Sequence, residues 1–127
     1  SIIPTTTCAA KDITIIFPDL DGRLGGCGIR VPVPNASMID LSLVLKEDAD
    51  VASINKAFKE AANGELKGRL EYTEDPIVSI DIIGNPHSCI FDADLTSITG
   101  HMVKIMGWYD NEMGYSSRLA ELVKLVS

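Results

Sequence analysis

The sequence lacks the features of several common protein classes. Its three cysteines, Cys8, Cys27 and Cys89, form neither an even set nor a Cys-x-x-Cys pair, so a disulfide framework is not indicated. Unpaired cysteines are typical of reduced thiols in the cytosol, so we expect a cytoplasmic protein. The apolar runs are all shorter than a membrane span, so we expect no membrane partner.

Positive charge is also scarce. The 127 residues carry 11 Lys and Arg against 18 Asp and Glu, for a net charge of −7. This balance argues against a nucleic-acid or anionic-membrane surface but leaves room for a small positive site that binds a phosphate. With 46% apolar residues, the length suits one domain with a real core and hardly suits two.

Hydrophobic periodicity and turn residues predict the order of elements along the chain. A period of two marks several strands, and a period of three to four marks helices after Asp50 and near the C-terminus. The predicted elements are a helix over 8–16, a loop over 18–26, strands over 29–33 and 38–45, a helix from 51 to the Asn63-Gly64 stop, strands over 68–72, 77–83, 88–93, 95–98 and 102–108, and a final helix to 126.

Most of these strands follow one another without an intervening helix. A parallel doubly wound sheet requires a helix between most strand pairs. The pattern therefore predicts an α+β fold, with an antiparallel or mixed sheet, helices packed on one face and a C-terminal helix.

A threonine-led helix start is the first candidate site. Thr5, Thr6 and Thr7 precede the helix predicted over 8–16. Free amides and partial positive charge at a helix start favour an anion such as phosphate. The alternative is an ordinary helix cap.

Arg30 is the second candidate, because it lies within an apolar strand and its guanidinium needs a partner there. Its planar fork fits a phosphate or a carboxylate with two parallel hydrogen bonds. The alternative is a salt bridge to one of the many acidic residues. Arg30 and the threonine-led helix start together would form a two-sided phosphate clamp.

Two other constellations carry less weight. His87, Cys89 and Asp92 do not have a recognised zinc spacing, and a fourth ligand is missing. Cys8 at a helix start would favour its thiolate, but nothing in the sequence pairs a histidine with it as a base. We expect neither a metal site nor a catalytic cysteine.

The segment 107–116 joins the apolar run 102–108 to the final amphipathic helix. Asp110 and Asn111, at this junction, are residues of the kind that begin helices. The amide of Asn111 has donor and acceptor atoms, so it can either cap the helix or bind another amide on a ligand.

Several motifs together resemble those of the glyceraldehyde-3-phosphate dehydrogenase family. Residues 108–116, Trp-Tyr-Asp-Asn-Glu-Met-Gly-Tyr-Ser, resemble its C-terminal signature. Residues 2–7 with 9–11 resemble its helix-start phosphate segment, and residues 30–32 with 34–35 resemble its arginine strand. The segments 66–68, 72–75 and 86–88 also match, so the resemblance covers essentially the whole chain.

The resemblance implies a role for five positions. Thr7 and the backbone amide of Cys8 match positions that bind incoming inorganic phosphate. Arg30 matches the arginine shared between substrate phosphate and inorganic phosphate. Asn111 matches the asparagine that holds the nicotinamide carboxamide, and Tyr115 matches a tyrosine near the nicotinamide ring. Cys8 stands where the family normally has glycine, and a side chain there adds bulk near the phosphate.

The resemblance also implies what the chain is part of. Residues 1–127 match the C-terminal catalytic domain, and the catalytic cysteine, its histidine and the Rossmann domain lie upstream in the family. The complete enzyme would use NAD or NADP, glyceraldehyde 3-phosphate and inorganic phosphate, and would form a homotetramer. One alternative is a stand-alone, non-catalytic oligomerisation or protein-interaction domain. A narrower one is a related enzyme that acts on erythrose 4-phosphate.

Overall fold

A computed structural model describes residues 1–7 and 9–127, which divide into two compact units. Unit 1 is Ser1–Pro34 and unit 2 is Asn35–Ser127. Cys8, the first residue of the helix predicted over 8–16, lies outside the described residues. Among the helices of the described part, none combines the length and apolarity needed to cross a membrane.

Unit 1 contains a two-stranded antiparallel ribbon and a short helix. Strand β1, Ile3–Thr5, pairs with strand β2, Gly28–Arg30. Helix α1, Ala9–Ile16, follows β1 and leads into a 3-10 turn at Pro18–Leu20. The strand predicted over 29–33 is thus shorter than expected, because Pro32 has no amide hydrogen to continue the pairing.

Unit 2 is built on a four-stranded sheet with the order β3-β6-β5-β4. Strand β6 pairs antiparallel with both β3 and β5, while β4 runs parallel to β5, so the sheet is mixed. The strands are β3 Ser37–Val44, β4 Leu70–Thr73, β5 Cys89–Thr99 and β6 Met102–Tyr109. This sheet and its helices confirm the α+β class.

Helix α2, Val51–Asn63, covers one face of this sheet, against β4 and β5. Its start is a capping box, in which the Ser53 amide donates to Asp50 at 2.6 Å and the Asp50 amide donates to the Ser53 hydroxyl at 3.1 Å. Phe58 stacks on Phe91 with ring centroids 3.9 Å apart. The buried core below it comprises Leu70, Phe91, Ala93, Val103 and Ile105.

A smaller cluster lies apart from this core. Ala36, Ile82 and Ile90 are buried there, with Ile77 and Trp108 packed against them. Helix α3, Met113–Val126, follows β6 after a short turn. That turn, which contains Asn111, therefore joins the cluster's Trp108 to the helix that carries Tyr115.

Three further predicted strands, over 77–83, 88–93 and 95–98, differ from the structure. Residues 77–83 are not a strand, and turns span 79–84, because the Val78 amide donates to the Asp81 carboxylate at 2.8 Å and the Asp81 amide donates back to the Val78 carbonyl at 3.0 Å. The strands predicted over 88–93 and 95–98 are one continuous strand, β5. Its pairing with β6 shifts register between Asp92 and Ser97, and this irregularity explains the break in the apolar pattern.

Candidate functional site

The first group of candidate residues lies where β1 leads into α1. Thr7 is exposed, and its hydroxyl oxygen accepts a hydrogen bond from the Ala9 amide at 3.2 Å. Thr7 therefore makes the local bond of an ordinary helix start. Its hydroxyl hydrogen has no acceptor among the described residues, so it can be donated to a ligand. The amide of Cys8, the second predicted phosphate donor, lies outside the described residues.

Arg30 ends β2 and is exposed. The pairing register places it opposite Ile3, so its side chain shares a face of the ribbon with Ile3 and Thr5. Gly28 lies opposite Thr5, and a Cβ on Gly28 would come within 3.1 Å of the Thr5 methyl group. The glycine thus leaves room for the threonine beside the arginine strand.

Within unit 1, the guanidinium of Arg30 has no acidic partner among the described residues. A salt bridge to an acidic residue of the same unit is therefore not observed. An exposed, unpaired guanidinium is ready to bind an anion with two parallel hydrogen bonds.

The second group of candidate residues lies between β6 and α3. The residue that caps α3 is Asp110, because its Oδ1 accepts the amides of Glu112 and Met113, both at 2.9 Å. Asn111 is therefore not needed for the helix cap, which was the alternative to a ligand-binding role. Its position one residue before Glu112 still places it at the start of the helix, where the partial charge is positive.

The second oxygen of Asp110 binds two further donors. Oδ2 accepts the Gly84 amide at 2.8 Å and the Asn35 side-chain nitrogen at 2.9 Å. Only 3% of Asp110 is exposed. The amide of Gly84, followed by those of Met113 and Glu112, holds the pKa of this carboxyl far below its usual range, and these bonds outweigh the opposing effect of burial.

Asn111 itself is exposed at this turn. Its Oδ1 lies 3.4 Å from the Ser37 hydroxyl, which donates to it. Its Nδ2 makes no hydrogen bond to any of the described residues, so this donor is free to bind a ligand. Tyr115, in the first turn of α3, is 70% exposed. Asn111 and Tyr115 thus both lie at the N-terminal end of α3.

Sequence reasoning placed Asp110 among the residues that begin helices, but it did not identify Asp110 as the cap and did not find its partners Asn35 and Gly84. A signal was present, because aspartate is favoured at a helix N-cap, where its side chain accepts the amides two and three residues later. The bonds to Asn35 and Gly84, which lie 75 and 26 residues away, had no local signal.

The weak metal hypothesis gains no support. His87 Nδ1 lies 2.8 Å from Asn85 Oδ1 and 3.0 Å from Glu71 Oε2, whereas Asp92 accepts the indole N–H of Trp108 at 2.9 Å. Across residues 1–7 and 9–127, His, Cys, Asp and Glu form no group of three arranged to hold a metal ion. Burial raises the pKa of the Cys89 thiol, as expected for an inert packed cysteine.

Comparison with known proteins gives a consistent result. Residues 1–111 match the family described as glyceraldehyde 3-phosphate dehydrogenase, C-terminal domain. Over 99% of its length the chain is 52% identical to glyceraldehyde-3-phosphate dehydrogenase of Mycobacterium avium, and 50% identical to glyceraldehyde-3-phosphate dehydrogenase 1 of Streptomyces avermitilis. It covers 37% and 38% of these two proteins, so the chain spans less than two-fifths of the length of the curated relatives it matches.

Proposed function

Because the chain belongs to the family of glyceraldehyde 3-phosphate dehydrogenase C-terminal domains, we propose that it supplies the phosphate-binding and nicotinamide-contacting part of such an enzyme. The complete enzyme oxidises and phosphorylates glyceraldehyde 3-phosphate with NAD or NADP. A cytoplasmic homotetramer is part of the same proposal. The observation that carries the proposal is the unpaired guanidinium of Arg30 on the strand that pairs with β1.

The phosphate part of the site consists of Thr7, the amide of Cys8 and Arg30. The free hydroxyl hydrogen of Thr7 and the five N–H donors of Arg30 suit the oxygens of a phosphate group. Both side chains are exposed, so a doubly charged anion reaches them without a large desolvation cost. The local positive charge of Arg30 offsets the repulsion from the acidic chain as a whole.

The nicotinamide part consists of Asn111 and Tyr115. The free Nδ2 of Asn111 suits the carbonyl oxygen of a carboxamide, and the exposed ring of Tyr115 suits contact with an aromatic ligand. The nicotinamide cofactor supplies the hydride acceptor when it is bound. The role of Asn111 is to hold the nicotinamide ring in one orientation, which favours hydride transfer in that geometry.

Titration of the labelled chain with inorganic phosphate, followed by NMR, tests the phosphate part. We expect the chemical shifts of Thr7 and Arg30 to move together with millimolar affinity. Arg30→Ala removes the guanidinium and weakens the binding at least about tenfold, because charge-assisted hydrogen bonds contribute about 1.5–3 kcal/mol. Arg23→Ala is the matched control, since Arg23 is another exposed arginine of unit 1. Equal losses in the two variants would contradict the proposal.

An activity assay tests the division of roles. We expect the purified 127-residue chain to show no dehydrogenase activity, because the resemblance places the catalytic cysteine and histidine upstream. Measurable turnover by this chain would refute that expectation. The stand-alone domain hypothesis makes a different prediction, namely that the unprocessed polypeptide has the mass of this chain. A polypeptide close to the length of the relatives supports the dehydrogenase.

A further inference from the structure

We propose that Asp110 is the positioning residue for Asn111, and that it acts together with the turn Asn35-Ala36-Ser37. This inference rests on the role proposed above for Asn111 in binding a carboxamide. Asp110 does not itself contact the ligand. It determines where the backbone and the amide of its neighbour lie, through bonds to three separate segments of unit 2.

The four hydrogen bonds of Asp110 use both oxygens of the carboxylate. Oδ1 binds the amides of Glu112 and Met113, which directly follow Asn111. Asp110 directly precedes Asn111 in the chain, so its carboxylate links the residue before Asn111 to the two residues after it. Asn111 is therefore held between two anchored neighbours, and its backbone has little freedom to turn.

Oδ2 of the same carboxylate connects this turn to the rest of unit 2. It accepts the Gly84 amide at 2.8 Å and the Asn35 Nδ2 at 2.9 Å. The hydrogen bonds that a buried carboxylate accepts are charge-assisted, and each is stronger than the corresponding bond of a neutral helix cap. A helix cap alone would need only the bonds of Oδ1, so the bonds of Oδ2 require a further explanation.

The turn that contains Asn35 also reaches the side chain of Asn111. Ser37, two residues later, donates its hydroxyl to Asn111 Oδ1 at 3.4 Å. Between them, Ala36 has a φ of 84°, which is strained for a residue with a Cβ, and is buried with Ile82 and Ile90. Such a backbone conformation is unfavourable and persists only where the surroundings enforce it.

The Ser37 bond has a consequence for the ligand. A hydroxyl donor directs Oδ1 of Asn111 inward, so Nδ2 points away from Ser37 and donates to an acceptor on the ligand. The distance of 3.4 Å is long for a hydroxyl bond. Ser37 therefore biases the orientation of the amide, whereas Asp110 holds the backbone that carries it.

Two NMR measurements on the full chain test this inference. The first is the mobility of the Asn111 side-chain amide without ligand. The second is the apparent affinity for nicotinamide mononucleotide, which carries the carboxamide, read from the same signals. The variant is Asp110→Asn, which turns one acceptor into a donor that opposes the donors of its partners. Asp92→Asn is the matched control, because Asp92 is also buried, at 4% exposure, and bonds to Trp108 instead.

We expect Asp110→Asn to increase the mobility of Asn111 and to lower the affinity for nicotinamide mononucleotide about tenfold. The affinity for phosphate at Arg30 should stay within twofold of that of the parent chain. Asp92→Asn leaves the mobility of Asn111 and both affinities within twofold. A general loss of structure would lower the affinities for both ligands. A loss of affinity for nicotinamide mononucleotide alone therefore reports positioning. If Asp110→Asn leaves Asn111 as rigid as in the parent chain, or if Asp92→Asn has the same effect on it, the inference is overturned.

Asn35→Ala serves if Asp110→Asn does not fold. It removes one hydrogen-bond donor to Asp110, so we expect the affinity for nicotinamide mononucleotide to fall about threefold and the mobility of Asn111 to rise less than in Asp110→Asn. Unchanged mobility in this variant would also overturn the inference. Failure of the parent chain to bind nicotinamide mononucleotide at Asn111 would refute the proposed function instead, and the ligand-free mobility would still decide the role of Asp110.

Discussion

Units 1 and 2 support their candidate residues in different ways. Asn111 in unit 2 follows a buried aspartate with four hydrogen bonds, next to a sheet with a packed core. In unit 1, Arg30 lies at the end of a three-residue strand of the ribbon, and Thr7 lies just before a short helix. Wherever burial is described within residues 1–34, each residue is exposed or only half-buried.

This difference shows that ligand-binding residues in one chain can be preorganised to different degrees. The turn around Asn111 has its position determined before any ligand arrives. The anion-binding residues of unit 1 depend instead on charge, exposure and a free guanidinium, and binding itself has to order them. We therefore expect phosphate to change the dynamics of unit 1 more than a nicotinamide ligand changes those of unit 2.

The largest expected difference between the units is in hydrogen exchange. Amides of β5 and β6 are protected by the buried core, whereas those of β1, β2 and α1 have little buried apolar surface around them. We expect exchange in unit 1 to be faster by at least about a thousandfold, which corresponds to about 4 kcal/mol. Mass spectrometry of exchanged fragments measures this difference, and equal protection of the two units would remove the contrast.

Two matched phenylalanines sharpen the comparison. Phe91 in unit 2 is 2% exposed and stacks on Phe58, whereas Phe17 in unit 1 is 58% exposed. Phe91→Ala should lower the free energy of unfolding by about 3–5 kcal/mol, because it leaves a cavity in the core. Phe17→Ala should change it by less than about 1 kcal/mol. Urea unfolding of both variants measures the two values, and similar losses would show that unit 1 has a core of its own.

Acid stability tests the contribution of Asp110. Its pKa is lowered in the folded chain, so its stabilising effect is complete above the ordinary carboxyl pKa of about 3.9 and is lost as the pH falls below that value. Asp110→Asn should cost about 2–3 kcal/mol at pH 7 and should make stability less dependent on pH between about 5 and 2.

The control for this measurement comes from unit 1. Asp19 is exposed, and Asp19→Asn should change stability by less than about 0.5 kcal/mol at neutral pH. Chemical denaturation at a series of pH values gives both curves. If the free energy of unfolding falls as steeply at acid pH in Asp110→Asn as in the parent chain, other carboxylates account for most of the pH dependence.

Two glycines give the smallest expected contrast. A Cβ on Gly107 would meet Cys89 Sγ at 2.6 Å and Ile39 Cγ2 at 3.3 Å, whereas a Cβ on Gly25 meets nothing within 4 Å. Gly107→Ala should cost about 1–3 kcal/mol through overpacking, and Gly25→Ala should stay within about 0.5 kcal/mol. Adding Cys89→Ala to Gly107→Ala removes the sulfur and should restore part of the loss. An unchanged loss in the double variant would place the strain elsewhere.

Local signals in the sequence were sufficient for much of unit 2. The apolar spacing after Asp50 and the Asn63-Gly64 stop predicted α2, and alternation predicted β3 within one residue at either end. The strand predicted over 102–108 is β6 with one further residue. These elements depend on neighbours one to four residues away, so their periodicity and their end signals are visible along the chain.

The sequence by itself determined the fold class, the principal helices and the identity of the candidate residues. Only the tertiary structure decided that 77–83 is not a strand, that β5 is continuous, that Arg30 has no acidic partner among the described residues of unit 1, and that Asp110 rather than Asn111 caps α3. The physical reason is that these outcomes depend on which distant groups meet. The carboxylate of Asp110 receives donors from residues 35 and 84, and no local pattern specifies such partners.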